Sequence, residues 1–138
     1  MPITLDHVAV ATREPEKLKR VLMLLGLADA GSEAVPSQGV LTHFLRASTG
    51  DSCIEILEVT DPKGTVEKFI AKKGPGIHHV SFRVASLDAL CKKLRENGIR
   101  LTYEAPQLGA HEMRVNFIHP ESTGGVLIEI SEITAKHA

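Results

Sequence analysis

The 138-residue, 14.9 kDa chain has the length of one compact domain. A chain of that size buries roughly two-thirds of the surface its unfolded form exposes, so its core needs no disulfide staples. Its 16 basic and 17 acidic residues nearly cancel, which argues against a nucleic-acid-binding field and a polybasic membrane anchor, and four Phe, one Tyr and no Trp supply no base-stacking platform or aromatic cage.

In chain order, Ile3 to Ala11 (ITLDHVAVA) alternates loosely and predicts a strand. No leader or membrane span is expected ahead of it. Thr12 or Glu14 then starts a helix with Pro15 in its first turn. Leu18, Val21, Leu22 and Leu25 form its apolar face, and Gly26 ends it. Strands are expected over Gly39 to Arg46 and Ser52 to Val59, followed by a short linker helix within about residues 61–75. Ile77 to Val84 predicts another strand. Ser86 caps a helix with Leu87, Leu90, Cys91 and Leu94 on its apolar face, ended by Gly98. Arg114 to Ile118 and Gly125 to Glu132 supply the last strands, and Thr134 to Ala138 read as a frayed tail. Cys53 and Cys91 lack C-x-x-C spacing and read as reduced thiols of a cytoplasmic protein.

These elements repeat. His7 to Gly26 and His79 to Gly98 each span 19 residues, and each glycine precedes an aliphatic residue. The strands SCIEILEV and GVLIEISE are both built on I-E-I, which matches Glu55 with Glu129. The chain is therefore an internal duplication of strand–helix–strands, offset by about 72 to 74 residues, with halves at about 3–60 and 76–132 in a single domain spanning 1–138.

The duplication places His7 with His79 and Glu55 with Glu129. Alternation puts His7 on a face with Ala9 and Ala11, and His79 with Ser81 and Arg83. Val8 and Val10 point the other way, as do Val80, Phe82 and Val84, and these are expected to pack on helices. If the halves assemble about a pseudo-twofold axis, the four side chains converge on one concave sheet surface. Two imidazoles and two carboxylates suit Co²⁺, Mn²⁺, Ni²⁺, Zn²⁺ or Fe²⁺. On an octahedral ion they leave two positions open for a bidentate substrate. His78 points away from His79 and reads as packing, and Lys72 and Lys73 read as solvated.

The strings L-D-H-V-A-V-A at 5–11, G-P-G-I-H-H-V at 74–80 and H-P-E-S-T-G-G-V-L-I-E-I at 119–130 resemble the vicinal-oxygen-chelate (glyoxalase) superfamily. With N-F-I-H-P at 116–120 and L-G-A-H at 108–111, the combination is similar to its methylmalonyl-CoA epimerase family. That resemblance implies an α+β fold of two βαβββ modules forming a cupped mixed sheet around a metal, and usually a homodimer. It implies His7, Glu55, His79 and Glu129 as ligands of a divalent ion, Co²⁺ first among them, and an acyl-CoA as the substrate. Glu129 and Glu55 are the expected acid–base groups for moving the C2 proton of methylmalonyl-CoA. Gln38, Thr42 and His111 are placed at the substrate. Some members carry a glutamate where Q-G-V-L-T-H at 38–43 has Thr42, and Thr42 cannot serve as a base at neutral pH. Two other functions share the fold: a glyoxalase I-type lactoylglutathione lyase and a non-enzymatic antibiotic-binding module. The intact quartet and the missing Trp weigh against the second.

Overall fold

The computed structural model describes residues 2–132, so the expected tail Thr134 to Ala138 lies outside the described residues. The chain divides into two compact units, one of His7–His78 and one of the residues through Asp6 together with those from His79 on.

The His7–His78 unit takes up strand β1 (Ile3–Ala11) from His7 onward. It continues through helix α1 (Pro15–Leu25), strands β2 (Ala28–Val35), β3 (Val40–Arg46) and β4 (Cys53–Val59), and helix α2 (Thr65–Lys73). Its strand order is β2-β3-β4-β1, with β1 parallel to β4 and the other pairs antiparallel. Pro15 occupies the first turn of α1, where its missing N–H costs nothing. Gly26 closes the helix at φ 114°, and the Leu27 N–H donates to the Leu22 carbonyl at 3.1 Å. Arg13 grips Glu67 of α2 through two hydrogen bonds of 2.8 and 2.7 Å.

Only half of the expected apolar face of α1 is covered. Val21 is 54% and Leu25 73% exposed, and no residue of α1 is fully buried. The half-buried positions are Pro15, Leu18, Lys19 and Leu22, the same helical spacing moved three residues toward the N-terminus, so Leu18 and Leu22 keep their place and Val21 and Leu25 lose theirs. Lys19 explains the shift: its ammonium pairs with Asp29 of β2 at 2.8 Å, so a cation sits on the sheet side of the helix. In β1 the expected alternation holds, with His7, Ala9 and Ala11 buried on one face and Val8 and Val10 half-buried on the other.

The other unit holds β5 (Gly76–Val84) from His79 onward, α3 (Leu87–Glu96), β6 (Gln107–Leu108), β7 (Arg114–Ile118) and β8 (Ile128–Glu132). The order is β5-β8-β7-β6, again with the first pair parallel and the others antiparallel. Ser86 caps α3 as expected, its Oγ accepting from the Ala89 N–H at 3.4 Å. Glu132 adds a second cap acceptor at this end, its Oε2 accepting from the Leu87 N–H at 3.1 Å. Leu87 and Cys91 bury against Ile130, with Val84, Leu90, Leu94, Leu101 and Ile118 around them. The helix ends at Glu96 with Asn97 as its cap, and Gly98 follows in the left-handed region at φ 75°. The Ile99 N–H then reaches back to the Leu94 carbonyl at 2.9 Å, the same closure that Leu27 makes.

Both units run strand–helix–strand–strand–strand, so the α+β architecture and the duplication are visible in the topology. Strands β2 and β6 complete the four strands that each βαβββ module requires, in segments that the residue pattern alone did not mark as strands. The duplication extends to the register, with Ala9, Glu55 and Phe44 side by side in one unit and Ser81, Glu129 and Phe117 in the other. Among the described residues no helix is long and apolar enough to cross a membrane.

Candidate metal centre and active site

In the His7–His78 unit, β1 and β4 run parallel with His7 beside Cys53 and Ala9 beside Glu55. His7 and Glu55 therefore lie diagonally on one face. The His7 Nδ1 lies 3.0 Å from the Glu55 Oε2, and both residues are buried, at 5% and 7% exposure. Ile54 and Ile56 project from the opposite face, which holds Glu55 on this side. Thr42 of β3 pairs with Leu57 and so shares the Glu55 face, buried at 2% exposure. His43 points the other way, its Nε2 3.5 Å from Glu58. Gln38 is half-buried in the short helical turn that leads into β3.

In the other unit the His79 Nε2 lies 3.9 Å from the Glu129 Oε2, and these residues are buried at 3% and 6% exposure. The second carboxylate oxygen is held separately: the Ser81 hydroxyl donates to Glu129 Oε1 at 2.7 Å. The ring of Phe117 meets His79 edge-on at 5.7 Å. Tyr103 packs against Phe117 in turn, 6.0 Å between centroids. Burial and the negative charge of Glu129 push the Tyr103 phenol above its usual range, so it stays a neutral hydrogen-bonding group at pH 7. Asn116, fully buried, fixes that loop by accepting from the Tyr103 N–H at 3.1 Å and donating to its carbonyl at 3.0 Å. Ser81 was read only as a face-mate of His79, and Tyr103 was missed because it sits outside any regular strand. The matched register of Glu129 with Ser81 was the signal available for the first.

His111 is exposed, in a short turn where it and Glu112 take positive φ values of 58° and 57°. His78 packs edge-on against Phe69 of α2 at 4.9 Å, and burial together with Lys73 lowers its pKa to about 4. It is therefore a neutral packing group. Lys72 and Lys73 are exposed at the end of α2, with the Lys73 Nζ 5.8 Å from the Phe69 ring.

Each buried imidazole–carboxylate pair offers ligand atoms lying within 4.8 Å of each other. Metal–ligand bonds of about 2.0–2.2 Å bring neighbouring ligand atoms to roughly 3 Å, the spacing His7 and Glu55 already have. A buried carboxylate is costly unless a cation compensates it. Imidazole nitrogen mixed with carboxylate oxygen suits the borderline divalent metals. The donor set thus fits a metal ion.

Comparison with known proteins agrees with this chemistry. The family model described as Glyoxalase/Bleomycin resistance protein/Dioxygenase superfamily matches residues 6–117. The mitochondrial methylmalonyl-CoA epimerase of Bos taurus is 32% identical over 93% of this chain and 73% of its own. The crystal structure of methylmalonyl-CoA epimerase from Mycobacterium tuberculosis superposes with a TM-score of 0.90 at 36% identity, over 96% of this chain and 89% of that one. A Streptomyces coelicolor methylmalonyl-CoA epimerase in complex with 2-nitronate-propionyl-CoA gives a TM-score of 0.86 at 30% identity, over 96% and 95% of the two chains.

Proposed function

The chain belongs to the Glyoxalase/Bleomycin resistance protein/Dioxygenase superfamily, and from that premise we propose that it is a metal-dependent methylmalonyl-CoA epimerase. The observation that carries the reading is the pair of matched, buried imidazole–carboxylate sets, His7 with Glu55 and His79 with Glu129. Their likeness in register and burial supports a divalent ion as the partner of both imidazole–carboxylate sets, with His7, Glu55, His79 and Glu129 as its proposed ligands. The acyl-CoA substrate class is supported by relatives named as acting on it and by a relative solved with a propionyl-CoA analogue.

The C2 proton of methylmalonyl-CoA lies between a thioester and a carboxylate, so removing it sends charge onto the thioester oxygen. A divalent ion in this site supplies Lewis-acid stabilisation of that charge. Glu129 is assigned as one acid–base group, with Ser81 holding its Oε1 so that the carboxylate keeps one orientation. Glu55 is assigned as a ligand and as a candidate for the opposite face, where the notional base position is the non-ionisable Thr42. His7 and His79 act as neutral nitrogen ligands. Cobalt as the ion, a cytoplasmic location and a homodimer complete the reading. The exposed Val21, Leu24 and Leu25 of α1 support the dimer by offering an apolar surface for a second copy.

The test is proton NMR of methylmalonyl-CoA in D₂O with cobalt-loaded protein. Loss of the C2 proton signal above background, with conversion of one epimer to the other, is the expected result. No exchange at high protein concentration, with turnover of a hemithioacetal instead, overturns it in favour of a glyoxalase I-type lyase.

A further inference from the structure

Two-base epimerisation of C2 uses one acid–base group on each face of that carbon. Thr42 cannot provide one, yet the register of the neighbouring strand does. Glu33 of β2 pairs directly with Thr42 of β3, which pairs with Leu57 of β4. Residues directly opposite in an antiparallel pair share a face, with Cβ atoms about 4.5–5.5 Å apart. Glu33 therefore stands on the face that carries Thr42, Phe44 and Glu55.

It reaches that face through an irregularity. Asp29 pairs with Leu45, but Ser32 pairs with His43, so β2 carries one extra residue between them. Gly31 sits in this bulge at φ 95°, a conformation glycine adopts without strain. Without the extra residue, Glu33 would fall opposite Leu41 and point to the helix side, the face Asp29 uses to meet Lys19. The bulge reverses it. Bulges commonly re-aim a side chain beside an active site. Glu33 is only half-buried, so its carboxylate is not trapped in the core. The equivalent register position in the other unit, opposite Val115, is Gln107, an amide. Of these two equivalent positions, only the one beside Thr42 carries an ionisable group.

We propose that Glu33, and not the metal-ligand candidate Glu55, is the catalytic acid–base residue for the second face of C2, taking from an adjacent strand the place that Thr42 leaves vacant, so that Glu55 keeps the ligand role alone. The inference rests on the epimerase reading. For one epimer, the Glu33 carboxylate takes the C2 proton: the C–H bond breaks, its electron pair moves into the thioester as an enolate, and an O–H bond forms on Glu33. A protonated acid–base group on the other face of C2 then gives its proton to that carbon, and the enolate electron pair forms the new C–H bond. The reverse reaction uses the same two groups with their roles exchanged.

Glu33→Gln and Glu33→Asp test the assignment with each pure epimer of methylmalonyl-CoA in D₂O, following C2 exchange and conversion separately, with bound cobalt measured for each protein. Wild type exchanges and converts both epimers. Glu33→Gln is expected to lose ~100-fold or more in conversion, the scale of one general acid–base group, while still exchanging one epimer without inverting it. Its bound cobalt stays equal to wild type. Glu33→Asp, which keeps the carboxylate but retracts it, recovers part of the conversion. Conversion by Glu33→Gln within threefold of wild type overturns the assignment. So does an equal loss of exchange for both epimers, which would mark a structural effect with no face preference. Absence of exchange by wild type itself would defeat the epimerase reading, a pattern distinct from either failure of Glu33.

Discussion

Ser81 shows how one unremarked hydroxyl sets the chemistry of a ligand. Its 2.7 Å bond to Glu129 Oε1 leaves the other oxygen facing His79 at 3.9 Å. Hydrogen bonds to a charged acceptor are worth about 1.5–3 kcal/mol, and groups that orient metal ligands typically matter 10–100-fold in metal affinity. Ser81→Ala is therefore expected to weaken cobalt binding roughly tenfold or more, measured by competition with a chromophoric chelator, with the circular dichroism spectrum unchanged. Affinity within twofold of wild type would remove Ser81 from the site. At this scale the histidines and glutamates were legible because the duplication aligned them twice. Ser81 was less so, since its counterpart in the first half is Ala9, which cannot hydrogen-bond and breaks the match. Glu33 was invisible for a different reason. Its face depends on a bulge, and a single inserted residue inverts every inference from alternation.

The elements follow the same division. Both His-to-Gly helices were readable, because glycine is the residue that closes a helix in the left-handed region, and Gly26 and Gly98 do so at φ 114° and 75°. An added Cβ at either position meets nothing within 4 Å, so alanine there is penalised by backbone conformation alone. Gly26→Ala and Gly98→Ala are each expected to cost about 1 kcal/mol, read as a shifted urea midpoint at constant slope, and to leave metal binding intact. A loss several-fold larger in one of them would show that its turn carries contacts the other lacks. What failed was half of the apolar stripe of α1 and the strand β2. Apolar periodicity locates a helix but cannot say which neighbouring row meets the sheet when Lys19 brings its charge to Asp29. The segment Ala28–Val35 holds small and polar residues that have weak strand propensity by themselves, and pairing with β3 decides its conformation.

For the whole molecule, the decisive quantity is the number of ions per chain. If His7 with Glu55 and His79 with Glu129 were separate sites, each would offer an ion two protein ligands, and the chain would bind two ions weakly and independently. If the four act together, the second pair of ligands binds an ion already fixed by the first, without a further translational penalty. Affinity then belongs to the quartet and collapses when either half is broken. The expected stoichiometry is one cobalt per chain by elemental analysis after gel filtration, falling to near zero in both His7→Ala and His79→Ala. The same linkage appears in unfolding. Free metal at 100 times its dissociation constant adds about 2.7 kcal/mol to the folded state, so a chelator should lower the melting temperature of wild type by several degrees and leave the two variants unmoved. Two ions per chain, or one retained by either variant, would mean that the duplicated pairs are independent half-sites. The single Lewis-acid centre that the epimerase reading requires would then be lost.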